Sequence, residues 1–107
     1  MELNEYQQMS QNFAFYPRSL GPYYTTLGAM SMLGKLAERL QKSLKENDGR
    51  IAQRDKQLIG IAIGDVLFYL TCTATDLNLS LNDICRMNIR KNSYQKEQEI
   101  KQNEANE

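Results

Sequence analysis

The run from Leu58 to Ala74 constrains this chain most. Its seventeen residues carry one charge, Asp65. A membrane-spanning helix needs about 20 apolar residues, and a carboxylate at mid-bilayer costs about 2.5–3.5 kcal/mol or more. Gly60 and Gly64 have the GxxxG spacing of close-packed membrane helices, yet no aromatic belt or positive flank frames the run. It therefore reads as a buried helix of a soluble protein, with no membrane partner. A helix that is apolar all round is buried on more than one face. A chain of 107 residues has only a modest core, and one thin layer of helices cannot cover such an element. The expectation is a homo-oligomer, dimer or tetramer, whose interface includes this helix.

The other segments are also helical. Leu3, Tyr6, Met9 (or Ser10) and Phe13 have helical spacing on a short polar helix. Pro17, Gly21 and Pro22 mark a loop over Tyr16 to Pro22. Thr25 or Thr26 then caps a long helix to about Glu46. Its apolar stripe is Leu27, Met30, Leu33, Leu36, Ala37, Leu40 and Leu44. Asn47-Asp48-Gly49 ends it. The apolar helix runs from near Ile51 to about Leu77. Ser80 and Asp83 form an S-x-x-D cap for a fourth helix reaching about Lys91, with Leu81, Ile84, Cys85 and Ile89 (or Met87) inward. Residues 92–107 are polar and read as a frayed helical extension or a disordered tail. No useful β-alternation occurs. The expected fold is all-α, three or four helices over residues 1–91, completed as a bundle by dimerisation.

Composition narrows the chemistry. Thirteen Lys+Arg balance thirteen Asp+Glu, which argues against binding nucleic acid by bulk charge. The absence of His removes the commonest general base and zinc ligand, and every Ser-His-Asp or Cys-His scheme. Cys72 and Cys85 are too few for a disulfide framework and read as reduced thiols in a cytoplasmic protein. The opening Met-Glu-Leu-Asn-Glu is not a signal peptide. No nucleotide-binding loop, metalloprotease or esterase signature is present. Chemistry is left to carboxylates, Lys, Arg, Tyr and a borrowed cation.

Several residues have two readings. Asp65 either caps or ion-pairs with a neighbouring helix, or serves as a metal ligand or phosphate-site residue. Lys35 either snorkels from the flank of the long helix or points inward and pairs with Asp65. Tyr16, Tyr23 and Tyr24 are either ordinary loop packing or rings that cover a base. Arg39, Gln41 and Lys42, and Asn88, Arg90 and Lys91, read by themselves as solvated faces.

In order and spacing the chain resembles the MazG-like all-α nucleotide pyrophosphohydrolases, in their short single-domain phage and bacterial form. The resemblance spans about Leu3 to Lys91. It rests on Asn4-Glu5-Tyr6-Gln7, Tyr16-Pro17, Tyr23-Tyr24, Leu27-Gly28 and the stretch from Gly34 to Lys42. Gly64-Asp65-Val66-Leu67-Phe68-Tyr69-Leu70 is the most specific piece, and Asp76 to Leu81 and Asn88 to Lys91 complete it. The resemblance implies cleavage of nucleoside triphosphates to the monophosphate and pyrophosphate with Mg²⁺ held by an ExxE and an ExxD. Acids three apart share a helix face, so two facing helices offer four carboxylates to a hard cation.

The chain departs from that pattern. Met32 and Lys35 occupy the ExxE positions, and Ala62 and Asp65 the ExxD positions. A lysine at ~4 Å from a dication, at an effective dielectric near 20, is repelled by roughly 8 kcal/mol. Two expectations follow. The first is a silent family member with no resident cofactor. It binds a nucleotide or protein partner through Lys35, Asp65, Arg39, Lys42, Asn88 or Lys91. The second is an active (d)NTP pyrophosphohydrolase whose Mg²⁺ site is rebuilt from Glu38, Glu46 or another subunit's carboxylate.

Overall fold

The computed structural model describes residues 1–106. Those residues form helices, turns and loops, with no strand among them. Helix α1 spans Leu3–Ser10 and continues as a 3-10 turn, Gln11–Phe13. Helix α2 is Tyr23–Glu46, α3 is Lys56–Asp76 and α4 is Leu81–Ala105. The all-α class is observed.

Helices α2 and α3 form the main packed pair and run antiparallel. Their seam is built from small side chains: Thr25, Ala29 and Ser43 from α2, and Ala62 from α3, are all buried. Thr25 Oγ1 and Thr73 Oγ1 share a hydrogen bond of 2.7 Å. Gly28 lies under Tyr69, where an added Cβ would stand 2.5 Å from the ring. At the other end Ser43 Oγ donates to Asp55 Oδ2 at 2.7 Å and accepts the Ala52 N–H at 3.1 Å. Small residues let the two backbones approach, and short hydroxyls satisfy each other across the gap.

The apolar stripe of α2 is not this seam. Only Leu36 and Leu40 are half-buried, while Leu27, Met30, Leu33, Ala37 and Leu44 are exposed. Thr25, Ala29, Met32, Leu36 and Ser43 carry the contact side instead. That side is rotated by about a quarter-turn from the leucines, at 100° per residue. Helix α3 is covered mainly by α2 along one side. Within the single chain Leu58, Ile61, Ile63, Leu67 and Leu70 are exposed, because one chain supplies one full helix against it and only a short α1 at its end. The segment Gln53–Asp76 is long and apolar enough to cross a membrane by length and composition alone, with a mean hydropathy of 1.7.

The termini of the elements also differ in detail. Helix α2 begins at Tyr23, earlier than a Thr25 or Thr26 cap requires. Both threonine hydroxyls instead donate to the Pro22 carbonyl at 2.9 Å. Gly49, at φ 79°, closes the helix by donating its N–H to Leu44 O at 2.9 Å. A 3-10 turn, Gln53–Asp55, precedes α3, so the α-helix proper starts at Lys56 and not near Ile51.

The expected Ser80 cap is present, its Oγ accepting the Asp83 N–H at 3.3 Å. Helix α4 packs on α1, where Gln7 Nε2 donates to Leu79 O at 2.8 Å and Gln7 Oε1 accepts the Leu81 N–H at 2.7 Å. Leu81 is buried, and Ile84 and Cys85 are half-buried. Ile89 and Met87 are exposed, contrary to the inward placement expected of them, because α1 is too short to reach that far along α4. The helix then continues to Ala105 with every residue from Arg86 exposed.

Candidate functional site

Lys35, Arg39, Lys42 and Asp65 gather on one side of the α2–α3 pair. The cross-helix contacts set the register: Thr25 opposite Thr73, Gly28 opposite Tyr69, Ser43 opposite Asp55. Stepping along that register brings Met32 level with Asp65 and Val66, and Lys35 level with Ala62 and Ile63. Met32 is half-buried and Ala62 is buried in the seam. Lys35 and Asp65 are both exposed on its flank. No ion pair joins them, since the pairs among the described residues are Arg18–Asp76 and Arg54–Asp55. Water solvates both charges in the single chain, so neither needs the other, and the inward Lys35–Asp65 pair is not formed.

Two clefts open on this flank. One, of about 160 Å³, is lined by Arg39, Lys42, Ser43, Glu46, Asp55 and Leu58 with Ile59. The other, of about 360 Å³, is lined by Tyr24, Leu27, Gly28, Ser31, Met32 and Tyr69. Lys35 lies between them along α2. A ligand on this side therefore meets ammonium and guanidinium groups on successive turns, and an aromatic cleft toward the proline loop. The exposed Glu38 faces a third hollow, of about 630 Å³, with Gln41, Lys42, Lys45 and Glu46.

The donor set at Met32, Lys35, Ala62 and Asp65 is a thioether, an ammonium, a methyl group and one carboxylate. A hard dication needs several oxygen ligands, and this set does not fit Mg²⁺. No three Asp, Glu or Cys side chains converge elsewhere among the described residues.

The three tyrosines are placed differently from one another. Tyr16 is half-buried and stacks on Tyr24, ring centroids 5.5 Å apart and planes within 12°. Its hydroxyl donates to Asp76 Oδ2 at 2.6 Å. Arg18 Nη1 bridges to Asp76 Oδ1 at 3.1 Å, with its guanidinium 5.1 Å from the centre of the Tyr16 ring. Arg18 Nη2 donates to Gln11 Oε1 at 3.0 Å. Burial, then the Asp76 carboxylate, hold the Tyr16 phenol well above the ordinary tyrosine range. Burial and, after it, the same carboxylate raise the Cys72 thiol. Tyr16 is thus part of a latch between the proline loop and α3. Tyr24 is shared between that stack and the cleft, and Tyr23 is the most open of the three.

Asn88 and Lys91 lie on the exposed surface of α4, whose packing partner is α1, and α4 makes no comparable contact with α2. The single chain does not bring them to Lys35 and Asp65. Both thiols are free, Cys72 buried and Cys85 half-buried. Ser43 and Asp55 were not singled out as site residues in the sequence. The signal was present: Ser43 continues the helical spacing of Thr25, Ala29, Met32 and Leu36, which marks the seam once the leucine stripe is set aside.

No family model matches the chain, and no solved structure matches it. Among curated proteins it is similar to "Gene 37 protein" of Mycobacterium phage L5. The two are 26% identical over 106 residues, covering 94% of this chain and 93% of the relative. A phage protein of nearly the same length is therefore among its relatives.

Proposed function

We propose that this chain is a MazG-like helical protein that has lost Mg²⁺-dependent hydrolysis and binds a nucleotide on the charged flank of the α2–α3 pair. The register carries the reading. It brings Met32 and Lys35 level with Asp65 and Ala62, the arrangement in which four carboxylates would clasp a dication, and three of the four are missing. Lys35, Arg39 and Lys42 then offer positive charge to phosphate oxygens directly. The neighbouring cleft with Tyr24 and Tyr69 offers ring faces to a base.

The test is incubation of the protein with a (d)NTP panel and Mg²⁺ or Mn²⁺, following pyrophosphate release and the thermal unfolding midpoint. The expected result is no release and a stabilising shift with a nucleotide, lost in Lys35→Ala. Metal-dependent turnover abolished by Asp65→Ala would overturn the silent reading. Neither turnover nor a shift with any nucleotide would move the reading to a protein partner.

The second reading, an active hydrolase with a rebuilt metal site, requires Glu46 and Asp55 to hold a cation in the cleft that they share with Arg39 and Lys42, whose positive charges oppose it. A cation held there would lie toward the far end of α2 from the tyrosines. Turnover lost in Glu46→Gln but kept in Asp65→Ala is the signature of that arrangement.

A further inference from the structure

We propose that helix α4, over its acid-free stretch from Arg86 to Lys96, is a docking element for duplex DNA. The thirteen bases and thirteen acids of the chain cancel, but they are not evenly spread. No Asp or Glu occurs between Asp83 and Glu97, while Arg86, Arg90, Lys91 and Lys96 all fall there. Nine bases then face thirteen acids in the rest of the chain. The overall balance argues against binding by bulk charge, yet it conceals one positive segment.

That segment stands on a helix with nothing against it. Every residue from Arg86 to Asn106 is exposed. A helix that is polar all round needs side-chain pairs along it or a surface to bridge to. None of the four cations has an ion pair among the described residues, so all four are free to meet phosphate. Leu81, Ile84 and Cys85 mark the side of α4 that turns toward α1. At 100° per residue, Arg86 and Arg90 fall on the opposite, outer side with Ser93 and Tyr94 beside them, and Lys91 and Lys96 lie on its two flanks. Residues 86–96 make about 16 Å of helix. The major groove of B-DNA is about 12 Å wide and admits a helix between two phosphate walls. Outer arginines then face base edges, where arginine on guanine is the commonest specific contact. The flanking lysines and the Ser93 and Tyr94 hydroxyls reach the phosphates. Asp83 and Glu97 bracket the stretch and repel phosphate, which confines the footprint to these turns.

Other occupants fit less well. A protein groove takes a helix by an apolar row on one face, and here Met87 and Ile89 lie on different sides. The major groove of duplex RNA is too narrow for side chains to read. Single strands stack on several aromatic rings, and Tyr94 is the one ring on α4. The surface is separate from the α2–α3 flank, so its test stands or falls apart from the nucleotide reading.

The experiment is fluorescence anisotropy of a short, labelled, mixed-sequence DNA duplex titrated with the full chain. Two to four phosphate contacts give a slope of about −2 to −4 in log K against log salt, so affinity should fall at least about 10-fold between ~50 and ~200 mM salt. Lys91→Gln with Lys96→Gln should flatten that slope by about two. Arg86→Gln with Arg90→Gln should weaken binding about 10-fold or more. Lys45→Gln with Lys56→Gln removes the same charge from the body of the chain and should leave the affinity within about twofold. All six positions are exposed, so the circular dichroism of each variant should match the wild type. Absence of binding at the lower salt overturns the proposal, as does an equal loss in the body variant. So does binding to an RNA duplex, a DNA single strand or polyglutamate as tight as to the DNA duplex.

Discussion

Tyr16 donates its phenolic proton to Asp76 across 2.6 Å, joining the proline loop to the last turn of α3. Asp76 also takes Arg18 at 3.1 Å, so one carboxylate holds two loop residues sixty and fifty-eight positions away. A hydrogen bond to a charged group contributes about 1.5–3 kcal/mol. Tyr16→Phe keeps the ring stack with Tyr24 and loses only this bond. Chemical denaturation should show a loss of about 1–2 kcal/mol, and Asp76→Ala should cost more. A double-mutant cycle returning no coupling would remove the latch from the account.

The same phenol gives a pH dependence of known sign. Its folded-state pKa is raised above the ordinary 10.0. The unfolded chain therefore releases this proton first as pH rises. Stability from this group is fully present below pH 10 and falls above it. The Cys72 thiol, raised above 9.0, acts in the same direction from a lower pH. Urea midpoints measured from pH 8 to pH 11 should decline, and Tyr16→Phe should decline less steeply in the upper part of that range.

Gly28 and Gly34 make a matched pair. A methyl group at Gly28 meets the Tyr69 ring at 2.5 Å, while one at Gly34 meets nothing within 4 Å. Gly34→Ala should gain about 0.5–1 kcal/mol from helix propensity. Gly28→Ala should lose stability despite the same intrinsic gain, because the ring must move out of the seam. Thermal unfolding of the two variants side by side checks the predicted opposite signs.

Ser43 is buried and bonded twice, to Asp55 and to the Ala52 N–H. Ser43→Ala leaves a backbone donor and a carboxylate oxygen without their partner. The expected cost is about 1–3 kcal/mol. Ser43→Thr, which keeps the hydroxyl, separates hydrogen bonding from packing: its recovery of most of the loss would assign the effect to the bonds.

Adding acids probes the four level positions. Met32→Glu with Lys35→Glu adds two carboxylates near Asp65 at half-buried and exposed sites. This pair should raise Mg²⁺ affinity, read by calorimetry, if the register brings the three together. Ala62→Glu is a different kind of change, because Ala62 is buried in the seam. There the new carboxylate must widen the helix contact, so the triple variant should bind metal at a cost in stability.

Several elements were legible in the residues alone. The four helical stretches, the proline loop, the Gly49 stop and the Ser80 cap follow from local rules of spacing, φ preference and capping. Those rules need no neighbour. The charged flank of α2 was equally legible, since 3.6-residue periodicity sorts its six charges to one side without reference to any partner.

Which face of α2 meets α3 was not legible. Hydrophobic size points to the leucine stripe, but close approach of two backbones favours Thr25, Ala29, Ser43 and Ala62, and that preference exists only once the second helix is in place. Asp65 shows the same division. The sequence determined that a lone carboxylate stands in an apolar helix. Only the tertiary structure decided that it faces water beside the seam, because the rotation of α3 against α2 is set by small-residue packing and the Thr25–Thr73 and Ser43–Asp55 bonds.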